Sequence, residues 1–141
     1  MTREDIVAMF AERGRLWNSH DATAFAKLHA ENGVVSSPMF GTIEGRAAIQ
    51  ASYENLFSTF GDWDFRGEEP LIDGLQAAQA FTVHMTHAAE MFGVPASGRR
   101  LEIHGIILFE LEDTGAIARE RRVYDFTGML VQAGVLKAKP E

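Results

Sequence analysis

Cysteine is absent from all 141 residues, which excludes disulfides and thiolate metal centres. No stretch approaches the roughly 18 consecutive apolar residues of a membrane-spanning helix, and the N-terminus has no leader pattern. The expectation is a soluble, unexported, cytoplasmic chain with no membrane partner. Positive charge is scarce: 13 Lys and Arg stand against 20 Asp and Glu, a formal net charge of −7. That balance argues against general nucleic-acid binding, which needs clustered cations, and no nucleic-acid partner is expected. Internal repeats, linkers and low-complexity segments are lacking too, so residues 1–136 read as one domain and 137–141 as a polar tail. Metal-ligand spacing is poor. His84 and His87 would face opposite sides of a strand, and no His/Asp triad converges elsewhere, so neither metal nor cofactor is expected.

What is present is 46% hydrophobic residues, enough for a sizeable core, arranged with two clear periods. Thr2-Arg3-Glu4-Asp5 reads as an N-cap with an acidic first turn. Ile6, Met9, Phe10, Arg13 and Trp17 follow at helical spacing, which predicts a helix over 3–18. Asp21 caps a second helix through Ala30. Val34-Val35 predicts a short strand, Gly41 to Gly45 a turn with a possible short strand, and Arg46 to Phe60 a third helix stopped by Gly61. Trp63 to Pro70 and Leu75 to Met91 read as strands, and Phe126 to Ala133 as a terminal helical turn closed by Gly134. The order is α+β: three N-terminal helices on a strongly curved, mixed but mostly antiparallel sheet, closed as a cone around an apolar pocket.

Arg99 to Gln132 organises the rest. Leu101 to Glu110 alternates as a strand, Glu112-Asp113-Thr114-Gly115 is turn chemistry, and Ile117 to Phe126 returns. A three-residue loop sets Asp125 opposite Ile103. A four-residue loop, Asp113 to Ala116, sets it opposite His104 and pairs Glu110 with Arg119, and is preferred for that charge match. One face then carries His104, Ile106, Leu108, Arg121, Val123 and Asp125, half apolar and half ionisable, and reads as a pocket wall. The other carries Leu101, Ile103, Ile107, Phe109, Tyr124 and Phe126 with no helix left to cover it, and reads as the face of a two-fold homodimer.

Five stretches together carry a family resemblance: Leu16-Trp17-Asn18-Ser19-His20-Asp21; Ile43-Glu44-Gly45-Arg46-Ala47-Ala48-Ile49; Phe60-Gly61-Asp62-Trp63; Phe92-Gly93-Val94-Pro95-Ala96-Ser97-Gly98-Arg99-Arg100; and Tyr124-Asp125-Phe126 with Leu130-Val131-Gln132-Ala133-Gly134. Their order resembles the SnoaL-like polyketide cyclases of the nuclear transport factor 2-like superfamily. The resemblance implies acid/base cyclisation or isomerisation of a hydrophobic, polyketide-like carbonyl substrate, with Asp125 at the position of the cyclases' last-strand aspartate. It points away from two other members. Ketosteroid isomerase has an aspartate before a proline on its first strand, where Ser37 precedes Pro38. Limonene epoxide hydrolase has a tyrosine and an asparagine where Val35 and Ser37 stand.

The candidate catalytic pair is therefore Asp125 as acid/base and His104 as polarising or relay partner. Asp125 is equally well placed to cap the helix that begins at Phe126, and His104 to be a half-buried structural residue. The candidate substrate-binding residues are Trp17, Tyr53, Phe57, Trp63, His84 and Met85, any of which can serve the core instead, with Ile106, Leu108, Arg121 and Val123 from the hairpin. The alternative function is a non-catalytic small-ligand-binding or accessory domain of the same fold.

Overall fold

A computed structural model of the chain describes residues 1–137. Of the expected polar tail, only Lys137 falls within them. Helix α1 (Arg3–Ser19) opens with a reciprocal capping box between Thr2 and Asp5 and turns Ile6, Phe10, Arg13, Leu16 and Trp17 inward. Helix α2 (Ala22–Ala26) is capped by Asp21 but ends sooner than its sequence suggests, because β1 (His29–Ser37) already begins at His29. Strand β2 (Gly41–Glu44) folds back on β1, and α3 (Arg46–Thr59) leads straight into β3 (Phe60–Gly67). The short β4 (Leu71–Asp73), absent from the sequence reading, is followed by β5 (Gln76–His87), β6 (Arg100–Leu111), β7 (Ile117–Tyr124) and α4 (Phe126–Ala133).

The strands form one sheet in the order β2-β1-β7-β6-β5-β3, with β4 also on β5. β1 pairs with β7 in parallel, and the other pairs are antiparallel. This corrects the expected cone. The path ends at β2 and at β3, which do not pair, so the sheet is open, and the apolar space lies between the helices and one face of it. Alternation of side chains predicts which residues share a face, but it carries no signal for closure, which depends on hydrogen bonds between the two ends.

The β6–β7 register pairs Glu110 with Arg119 as expected, but not through the preferred four-residue loop. The Glu112 N–H donates to the Ala116 carbonyl across a three-residue loop, Leu111 faces Ile117, and a bulge beyond that pair brings Glu110 opposite Arg119. Its two faces, however, are used in the opposite sense from the sequence reading. Leu101, Ile103, Ile107 and Phe109 are buried under the helices, with Phe10 of α1 edge-on to Phe109 at 4.9 Å between centroids. Ile106, Leu108 and Val123 are exposed on the outer face, at 49%, 36% and 50%. The physical reason is area. Four large aliphatic and aromatic side chains remove more apolar surface from water than the three of the other face, and the face that carries them goes inward. Gly105 serves the same inner face. A Cβ there would lie 2.6 Å from the Val123 carbonyl oxygen and 2.8 Å from the Phe81 ring, so only glycine lets Phe81 of β5 lie across β6.

No helix among the described residues is long and apolar enough to cross a membrane.

Candidate functional site

The sheet's inner face and the helices enclose a cavity of about 60 Å³. Its wall is almost wholly apolar: Trp17 from α1, Leu56 from α3, Phe60, Trp63 and Phe65 from β3, Phe81, Val83 and Met85 from β5, Ile103 and Ile107 from β6, and Met129 from α4. Met39 and Phe40, in the β1–β2 connection, complete the rim. Two polar side chains break this surface, Arg122 and Tyr124, both on β7 and both pointing inward.

Arg122 is held from behind. Its Nε donates to Glu120 Oε2 at 2.6 Å, and its Nη2 donates to the Tyr53 hydroxyl at 3.0 Å. Nη1 makes no hydrogen bond among the described residues. Glu120 also accepts from Arg13 Nη1 at 2.9 Å, and both members of that pair are buried. The Tyr53 oxygen lies 3.0 Å from His29 Nε2. Because Arg122 already donates to that oxygen, the Tyr53 O–H is free to donate to His29, which places the His29 proton on Nδ1. The Arg13 guanidinium sits between the Phe25 and Phe109 rings, 5.0 and 4.7 Å from their centroids.

The electrostatics follow from burial and from this geometry. Burial alone would push the Glu120 carboxyl up. Arg13, Arg122 and His29 together outweigh it and hold the group at about 2, so it stays ionised. Burial pushes the His29 imidazole down to about 4, against the pull of Glu120, so it is neutral near pH 7. Tyr53 is pushed well above the usual phenol range by burial. Burial also raises the Tyr124 phenol, against lowering by Arg122, the Met39 backbone and Ser37, and it remains a proton donor. Two guanidiniums and one carboxylate leave a net charge of +1 beneath an apolar cavity, with Arg122 facing the space. A cation there, held rigid and with a free donor, is suited to an oxygen that carries or develops negative charge. Trp17 adds a buried indole N–H with no partner among the described residues.

The sequence-predicted site residues divide between two places. Trp17, Trp63 and Met85 line the cavity. Tyr53 lies behind Arg122 in the polar network, and Phe57 stacks on His20 at 4.9 Å. The rest stand on the outer face or at the surface. His104 is exposed, 3.0 Å from Thr82 Oγ1 and 3.4 Å from Glu102, which His84 also approaches at 3.4 Å. Ile106, Leu108, Arg121 and Val123 share that face. Asp125 is exposed because β7 ends at Tyr124. Its side chain accepts the Gly128 N–H at 2.8 Å and caps α4. The cavity thus receives neither Asp125 nor His104. The residues that sequence reasoning missed are Arg122, Tyr124 and, behind them, Glu120, Arg13 and His29. A usable signal was present: Glu120 and Arg122 alternate onto the face shared with Ile103, Ile107 and Phe109, and charges on the more apolar face must be paired when buried.

Comparison with known proteins gives a consistent picture. The family model described as SnoaL-like polyketide cyclase matches residues 7–133. Among solved structures, AclR from Streptomyces galilaeus superposes with a TM-score of 0.84 at 22% identity, covering 99% of this chain and 87% of that one. TsrD from Streptomyces laurentii gives 0.82 at 23%, covering 96% and 99%. SalBIII, an epoxide hydrolase/cyclase-like enzyme of pyran ring formation in the polyether salinomycin, gives 0.73 at 23%, covering 88% and 93%. At these identities the likeness is one of fold. A search of curated protein sequences finds no match.

Proposed function

We propose that this chain, which belongs to the SnoaL-like polyketide cyclase family of the nuclear transport factor 2-like superfamily, acts on a small hydrophobic carbonyl compound by stabilising an enolate-like oxyanion. The observation that carries the reading is Arg122, among the described residues the one formally charged side chain on a cavity wall that is apolar but for it and Tyr124. A substrate carbonyl oxygen sits against Arg122 Nη1 and the Tyr124 hydroxyl. A proton leaves the carbon between two carbonyls for water, and Arg122 stabilises the charge that forms on oxygen. In ring closure the enolate carbon attacks a third carbonyl, farther along the same molecule. The resulting alkoxide takes the Tyr124 proton, and the water that accepted the first proton restores it. Apolar walls hold the chain folded on itself, and positioning supplies much of the rate.

Hydron exchange at the α-carbon of ethyl 2-methylacetoacetate, followed by proton NMR, tests this. The wild-type protein should accelerate exchange, and Tyr124→Phe should lose roughly 10- to 100-fold, the worth of one hydrogen bond to a charged group. Asp125→Asn should retain full activity and stability, because asparagine caps about as well as aspartate. A large loss in Asp125→Asn with Tyr124→Phe unaffected would return the chemistry to the helix cap and sink the proposal. Among the described residues the cavity wall has no carboxylate or imidazole, which favours a second reading: a domain that holds such ligands without turning them over. Quenching of Trp17 and Trp63 by the ester without any exchange would select it.

We also infer a two-fold homodimer through the outer face. Ile106, Leu108 and Val123 form its apolar strip, flanked by exposed Glu102 and Glu110 on β6 and by Arg119 and Arg121 on β7. The strip has acids on one strand and arginines on the next, so a two-fold axis can set each row against its opposite in the partner. Light scattering at micromolar concentration should give twice the 15.6 kDa chain mass. Val123→Glu should reduce it to that of the monomer, and a monomeric wild type would refute the inference.

A further inference from the structure

The connection between β5 and β6 turns at Phe92-Gly93. Met91 and Val94 exchange backbone hydrogen bonds of 2.9 and 3.0 Å around it, and the Gly93 N–H donates to the Glu90 carboxylate. Both turn residues have positive φ, +51° at Phe92 and +79° at Gly93. Gly93 adopts that conformation freely. Phenylalanine does not, and turns of this kind favour Asn, Asp or Gly at the first position. Phe92 is moreover 58% exposed, with one aromatic neighbour, Phe126, edge-on at 5.9 Å. An aromatic ring is thus held in solvent at a strained position where glycine would serve the fold better, a pattern that points to a ligand rather than to packing.

The ring borders a groove of about 270 Å³ lined by Met39, Phe40, Asn55, Thr59, Glu90 and Met91. Met39 and Phe40 are also the rim of the inner cavity, so the two spaces share one wall. We propose that the groove is an outer subsite for the same substrate, resting on the reading of the cavity given above. The group attached to the carbonyl held at Arg122 runs outward past Met39 and Phe40 and lies against Phe92. The ligand class is a 1,3-dicarbonyl compound with one aromatic or flat unsaturated substituent. That substituent is neutral at its outer end, because Glu90 repels an anion there.

The test is a matched pair of ligands, acetylacetone and 1-phenyl-1,3-butanedione, titrated against the fluorescence of Trp17 and Trp63. These are the chain's two tryptophans, and both line the cavity. In Phe92→Gly the phenyl compound should bind about tenfold more weakly, the worth of one aromatic contact, while acetylacetone binds as before. Phe92→Tyr, which keeps the ring, should restore the affinity. The melting temperature of Phe92→Gly should be unchanged or higher, since glycine relieves the turn. If the substitution leaves both affinities unchanged, or weakens both equally, the outer subsite is wrong and the cavity reading stands. If neither compound quenches the wild-type protein, the cavity reading fails and the subsite with it.

Discussion

Glu120→Gln should unfold this protein at a markedly lower temperature than any surface substitution. Among the described residues the carboxylate is the sole anion between Arg13 and Arg122, both of which are buried with it. Glutamine keeps the shape and one acceptor but leaves a net charge of +2 in the interior. Removing one partner of a buried ionic cluster costs about 3–5 kcal/mol, because the remaining charge is neither solvated nor paired. For a domain of this size that lowers the melting temperature by about 10–20 °C. Arg13→Met should be distinctly milder. It leaves Glu120 neutralised by Arg122 alone, and the side chain it removes has two buried nitrogens without partners, Nε and Nη2. Its stem also lies in an apolar slot between Phe25 and Phe109 that methionine can fill. Calorimetry of the two variants checks the order. Equal losses would mean that the cluster behaves as independent pairs rather than as one excess cation.

Acid should weaken the fold well before carboxylates in general titrate. His29 is held at about 4, against about 6.5 in an unfolded chain, chiefly by burial, with Arg13, Arg122 and Arg46 adding to it and Glu120 opposing. The neutral ring therefore contributes stability that is complete above the unfolded value. That contribution is lost progressively as pH falls from about 6.5 to about 4, because the unfolded state takes up the proton first. The loss over that window is about 3 kcal/mol. Glu120 then adds a second stage. Its folded value of about 2 lies below the unfolded one, so its stabilisation holds above about 4.5 and disappears as pH falls towards 2. His29→Gln retains an acceptor for the Tyr53 hydroxyl and cannot charge. Urea midpoints measured from pH 7.5 to 4.5 should fall steeply for wild type and stay nearly level for the variant. A wild-type midpoint that is constant across that range would contradict a buried neutral His29.

Much of the fold was legible from local chemistry. Thr2 with Asp5, Asp21, and Gly134 mark helix ends where the structure has them, because capping needs only short-range hydrogen bonds. The hairpin register was legible from the match of Glu110 with Arg119. What could not be read was which hairpin face turns inward, since alternation alone is symmetric between them and the choice depends on helices from elsewhere in the chain. The site depends on the same choice: with the outer face as the pocket wall, Asp125 and His104 share it, and Arg122 falls on the other face and goes unnoticed. Arg13 shows the same limit. It falls in the inward stripe of α1 between Phe10 and Trp17, but its partner is Glu120, 107 residues away in sequence. The parallel pairing of β1 with β7 was hidden for a similar reason, because no turn announces it.

That pairing has a consequence for how the chain reaches its native state. β7 is the last strand in sequence, yet it lies between β1 and β6 and is the only strand that joins the β1–β2 pair to the rest of the sheet. Until β7 has left the ribosome, β1 and β6 each expose an unpaired edge, and Arg13 lacks Glu120. Contacts of such long sequence separation form slowly, and the intermediate presents strand edges to other copies. The two parts of the sheet are therefore joined only once β7 is available, and a nascent chain stalled before β7 is the species on which a holdase chaperone would act.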